Sequence, residues 1–83
     1  MYRILVADDE GIMLEAFKSV ISSTFGDSCI TETAKTGRAV TEKAETFHPD
    51  IVFMDIHMPG INGIQAMREI RKFNTTALFY VVS

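Results

Sequence analysis

At 83 residues with a net charge of −3 and a single cysteine, the chain has room for one small domain with little core to spare. The acidic balance argues against a nucleic-acid-binding face, because Glu69 interrupts the cluster of Arg68, Arg71 and Lys72; Cys29 alone excludes an intrachain disulfide. No apolar stretch approaches the roughly 20 residues of a membrane helix, and the apolar run 4–7 is too short for a signal-peptide core, so a soluble, cytoplasmic protein is expected.

Residues 3–7 are apolar and end in Asp8-Asp9-Glu10, which predicts a buried strand that opens onto an acidic turn. A helix is predicted next, with a stripe of Ile12, Ala16 and Val20 joined on the same side by Phe17, Ile21 and Phe25. Gly26 stands where its C-cap falls. Residues 29–34 form a weaker strand candidate built on Ile30, Thr31 and Thr33, with Cys29 expected to be buried and inert. Thr36-Gly37 opens a second helix with Val40, Ala44 and Phe47 on one side, and Pro49 ends it by disfavouring helical geometry at His48.

Residues 51–54 are a second continuous apolar run, again ending in an acid, Asp55. Met58-Pro59-Gly60 reads as a turn, and Asn62 as the N-cap of a third helix with Ile64, Met67 and Ile70 inward. Thr75-Thr76 marks a loop, and residues 77–82 a last apolar strand before Ser83. The five methionines read as core filler. Apolar strands alternating with amphipathic helices give β-α-β-α-β-α-β, an α/β domain with a parallel sheet and helices on both faces.

In such sheets ligands bind beyond the carboxyl ends of the strands. The first strand delivers Asp8 and Asp9 there, the third Asp55 and the fourth Ser83. Each acid alone has an ordinary explanation as a solvated turn or a helix-start charge; their convergence does not. Carboxylates held close together need an offsetting charge, and Mg²⁺, which favours oxygen ligands, supplies it. Asp9 and Asp55 can ligate directly, Asp8 through a water, and the backbone carbonyl near His57 can complete the set. A carboxylate beside such a metal can serve as a nucleophile toward phosphorus, with Ser83 donating a hydrogen bond to the phosphoryl group. A second cation, usually a lysine, is expected in such a site, and none is read at a suitable strand end; Lys72 closes the third helix.

Residues 4–10 (Ile-Leu-Val-Ala-Asp-Asp-Glu), 49–55 (Pro-Asp-Ile-Val-Phe-Met-Asp), 55–63 (Asp-Ile-His-Met-Pro-Gly-Ile-Asn-Gly) and 81–83 (Val-Val-Ser) resemble the receiver domain of two-component response regulators. The resemblance covers essentially the whole chain and is most specific over 49–63. It implies a flavodoxin-like sheet of order 2-1-3-4 and a phosphoryl group accepted by Asp55 from a sensor histidine kinase. It also implies Mg²⁺ on Asp8, Asp9, Asp55 and the His57 carbonyl, and Ser83 as the hydroxyl that turns toward the phosphoryl group in a conformational switch. It makes residues 1–83 the first two-thirds of a receiver, without the fourth helix, fifth strand, lysine-bearing segment and fifth helix, and allows an output domain beyond Ser83, of a DNA-binding or other kind. Self-association through the exposed edge of the fourth strand is expected for such a chain. The alternative function is an interaction module that binds a divalent cation and never carries phosphate.

Other chemistries lack their residues. There is no G-x-x-x-x-G-K-[ST] for a nucleotide phosphate, and the turn after the first strand is acidic where a dinucleotide fold needs glycines. A phosphatase with an aspartate nucleophile would carry a second acid where His57 stands. His48 and His57 with Cys29 have no zinc-ligand spacing, and no G-x-S-x-G elbow is present. The chain is therefore read as a phosphoacceptor signalling domain and not as an enzyme with its own substrate pocket.

Overall fold

In the computed structural model, which describes residues 1–55, 58 and 63–82, the apolar runs form four strands: β1 (Tyr2–Ala7), β2 (Cys29–Ala34), β3 (Ile51–Asp55) and β4 (Leu78–Val82). Three helices connect them: α1 (Gly11–Phe25), α2 (Gly37–Phe47) and α3 (Gly63–Arg71). All pairings are parallel and the sheet order is β2-β1-β3-β4, the flavodoxin-like order 2-1-3-4.

That order decides where the helices go. The chain moves one way from β1 to β2 and then returns past β1 to β3 and β4. Right-handed crossovers in opposite directions put their helices on opposite faces. Side chains alternate accordingly along each strand. Ile4, Val6, Ile51 and Phe53 meet Leu14, Phe17 and Ile21 of α1 on one face. Leu5, Ala7, Val52 and Met54 meet Val40 and Ala44 of α2 and Ala66 and Ile70 of α3 on the other.

The helix ends follow local chemistry. Thr36 caps α2 by accepting a hydrogen bond at Oγ1 from the Ala39 N–H, 3.0 Å away. His48, before Pro49, adopts a left-handed φ of 53° and donates its N–H to the Ala44 carbonyl, so the predicted stop is a left-handed C-cap. Gly26, with φ 59°, ends α1 as expected and donates to Ser22 O.

Three expectations are corrected. In α1 the inward line is Leu14, Phe17 and Ile21, whereas Ile12 is 84 % and Val20 63 % exposed, and Ala16 and Phe25 are exposed too. In α3 the buried line is Gly63, Ala66 and Ile70, with Met67 half-buried, whereas Ile64 is exposed. Cys29 is only half-buried, at the open end of the α1 face, and of the methionines Met54 and Met58 are core while Met1 and Met13 are exposed. The expected turn at Pro59-Gly60 and the Asn62 cap lie outside the described residues.

At the amino-terminal edge, Asp50 locks three strands together. Its N–H donates to Arg3 O, its carboxylate accepts from the Arg3 N–H and its carbonyl accepts from the Leu78 N–H. Asn74 builds the turn into β4: its Oδ1 accepts from the N–H groups of Thr76 and Ala77, and its Nδ2 donates to Pro49 O.

Candidate functional site

The sheet order reverses at β1. The chain leaving β1 runs to α1 on one face, and the chain leaving β3 runs toward α3 on the other. A crevice opens between two strand ends whose continuations diverge. Ala7 pairs with Met54, so Asp8 and Asp55 follow a matched pair on adjacent strands, whose backbones lie about 4.8 Å apart. The acids that end the two central apolar runs are thereby neighbours at one edge.

Asp8 is the most deeply placed, 8 % exposed and the only buried polar or charged side chain among the described residues. Its N–H donates to Ala34 O (3.1 Å), tying the end of β1 to the end of β2. Its Oδ1 accepts from the Glu10 N–H (2.9 Å), which folds the acidic turn back on itself before α1 begins. Asp9 and Glu10 are exposed, and Asp55 is half-buried at the end of β3.

Carboxylate oxygens of Asp8, Asp9 and Glu10 all lie within 4.8 Å of one another. Among the described residues, none of these three carboxylates has an ion pair with a lysine or arginine. Three hard oxygen donors, gathered with no ion-paired lysine or arginine among the described residues and with one buried, fit a divalent cation that keeps part of its water shell. Glu10 belongs to this cluster although the sequence pattern pointed only to Asp8 and Asp9; its place as the third consecutive acid was the available signal. His57 and Ser83 lie outside the described residues.

Lys35 comes directly after Ala34, the last residue of β2, and its Nζ lies 3.8 Å from the point a Cβ would occupy on Gly11, the first residue of α1. Lys35 therefore reaches across the end of β1 to the start of α1, beside the acidic turn. In sequence, β2 has the weakest apolar pattern of the four strands, so its end is marked less sharply than those of β1 and β3.

No helix among the described residues is long and apolar enough to cross a membrane. The family model for the response regulator receiver domain matches residues 4–83. The chain is similar to the chemotaxis protein CheY of Thermotoga maritima, 38 % identical over 98 % of this chain and 66 % of that protein. It is 40 % identical, over 98 % of its own length, to a protein-glutamate methylesterase/protein-glutamine glutaminase of the same organism, of which it spans only 23 %. Among solved structures, the response regulator TrrA of Thermotoga maritima in complex with Mg(2+)-BeF superposes with a TM-score of 0.83 at 35 % identity, covering 95 % of this chain and 66 % of that one. TrrA in complex with the histidine kinase ThkA matches with a TM-score of 0.83 at 34 % identity, covering 98 % of this chain and 67 % of that one.

Proposed function

The chain belongs to the response regulator receiver family, and from that premise we propose that it accepts a phosphoryl group on Asp55 from a histidine kinase in a Mg²⁺-dependent reaction. The observation that carries the reading is the matched register of β1 and β3, which sets Asp55 beside Asp8 at the switch point of the sheet. TrrA, similar over most of this chain, has been captured both with Mg(2+)-BeF and with a histidine kinase, which supports the same ligand class and partner class here.

Asp8 and Asp9 would hold the metal together with Asp55 and the His57 carbonyl, and Glu10 stands within reach of the same ion. When bound, the ion neutralises charge on the carboxylates and on the phosphoryl oxygens. In the transfer, an Asp55 carboxylate oxygen attacks phosphorus in line with the departing donor nitrogen. The new O–P bond forms as the N–P bond of the phosphohistidine breaks, and the released imidazole takes up a proton. The protein's part is to fix the carboxylate on a strand end and to surround it with oxygen donors, which is most of what phosphoryl transfer requires. Ser83 would then turn toward the phosphoryl group and report its presence.

We assign the protein to the cytoplasm, where a histidine kinase presents its phosphoryl group, and assign the output to a further domain, as the longer methylesterase relative suggests. The outer edge of β4 is the place for self-association. Incubation with Mg²⁺ and acetyl phosphate, followed by intact-mass spectrometry, tests the central reading. One phosphoryl adduct is expected, lost with EDTA and lost in Asp55→Asn. Metal binding with no adduct would instead support a module that acts through contacts alone.

A further inference from the structure

The basic groups around the acidic turn are mostly occupied. Arg38 pairs with Glu42 one turn along α2, and Lys43 donates to the Thr33 carbonyl. Lys35 differs from them. It is exposed, it makes no ion pair among the described residues, and its ammonium nonetheless lies over Gly11 at the start of α1. A helix start is an unfavourable place for a cation, because the first N–H groups already present positive charge there. The acidic turn of Asp8, Asp9 and Glu10 directly precedes Gly11, and the Asp8–Ala34 backbone hydrogen bond joins the two strand ends that this turn and Lys35 follow, so an offsetting charge lies at the same edge.

We propose that Lys35 is the resident counter-cation of the acidic pocket, a positioning residue that competes electrostatically with the divalent ion and so sets its affinity. This inference rests on the reading that the pocket takes Mg²⁺. With the metal absent, the ammonium offsets part of the repulsion among the three carboxylates. With the metal present, the same charge opposes the ion, and the long, exposed side chain swings outward. The cost of displacing it lowers Mg²⁺ affinity and leaves a mobile positive charge at the rim of the site.

The test is a calorimetric Mg²⁺ titration of the protein, Lys35→Met, Lys35→Arg and Lys18→Met, with circular dichroism to confirm that each is folded. In about 0.01 M salt, where screening extends to roughly 30 Å, Lys35→Met is expected to bind Mg²⁺ about three- to tenfold tighter than the parent. In about 1 M salt, where screening falls to roughly 3 Å, the difference should close. Lys35→Arg should keep the parent affinity, and Lys18→Met, which removes an equal charge from the exposed side of α1, should tighten binding by clearly less than Lys35→Met. Equal affinities for Lys35→Met and the parent at low salt would overturn the inference while leaving the Mg²⁺ site intact. Weaker binding by Lys35→Met would overturn it too. Failure of every protein to bind Mg²⁺ would overturn the inference together with the reading beneath it.

Discussion

The two faces of the sheet carry similar apolar strand residues but are covered unequally. On one, α2 and α3 lie side by side and bury Leu5, Ala7, Val52 and Met54 to 2 % exposure or less. On the other, α1 is the one helix among the described residues that covers Ile4, Val6 and the half-buried Ile51 and Phe53, while the residues toward the margins, Tyr2, Leu78 and Tyr80, stay more than half exposed. A pocket of about 290 Å³ lined by Tyr2, Ile4, Phe25, Cys29 and Ile51 remains open on that side. Across the β3–β4 pair the rings of Phe53 and Tyr80 stack at 5.4 Å, with Phe17 of α1 against Phe53 at 5.5 Å. The difference shows that strand patterning fixes which residues share a face, while the number of covering helices fixes how much of that face becomes core.

Substitutions matched across the faces sharpen this contrast. The largest effect is expected from Leu5→Ala, at 0 % exposure between β1 and two helices; it should cost about 3–5 kcal/mol and leave so small a domain largely unfolded in thermal melts. Phe53→Ala removes a larger side chain from the thinner face, yet should cost only about 2 kcal/mol, because the ring is half-buried and its neighbours Phe17 and Tyr80 can close part of the gap. A greater loss for Phe53→Ala than for Leu5→Ala would mean that the α1 face carries the fold. The smallest change in stability, within about 0.5 kcal/mol, is expected from Leu78→Lys at the margin of β4. That substitution should nevertheless shift any dimer seen by sedimentation toward monomer, since a lysine on an edge strand opposes pairing. A sedimentation profile unaffected by Leu78→Lys would place self-association elsewhere.

Much of the fold was legible because uninterrupted apolar runs at 4–7 and 51–54, each ending in an acid and alternating with amphipathic helices, fit buried parallel strands, and because Thr36, His48-Pro49 and Gly26 punctuate the helices by known backbone chemistry. On α1 the expected stripe is half right: Phe17 and Ile21 do face the sheet, but apolar residues run along two lines of the helix, and packing on β1 and β3 selects the one with Leu14 and leaves Ile12, Ala16 and Val20 in solvent. The role of Asn74 lies in three hydrogen bonds that no periodicity reveals, although an asparagine before Thr75-Thr76 is an ordinary turn former. In the site, Asp8, Asp9 and Asp55 were recognisable as acids at strand ends. Glu10 and Lys35 carry only a faint signal, as the third consecutive acid and the residue after β2, because their place depends on how the turn before α1 folds back and on β1 and β2 ending side by side.

Among the acids of the crevice, Asp55 is the one expected to bear the phosphoryl group. Sodium borohydride reduces an aspartyl phosphate to homoserine, so a protein treated with acetyl phosphate and Mg²⁺, reduced, digested and sequenced by tandem mass spectrometry records the acceptor directly. Homoserine at position 55, present only when Mg²⁺ was supplied, is the predicted result. Homoserine at position 8 or 9, or none at any position, would contradict it.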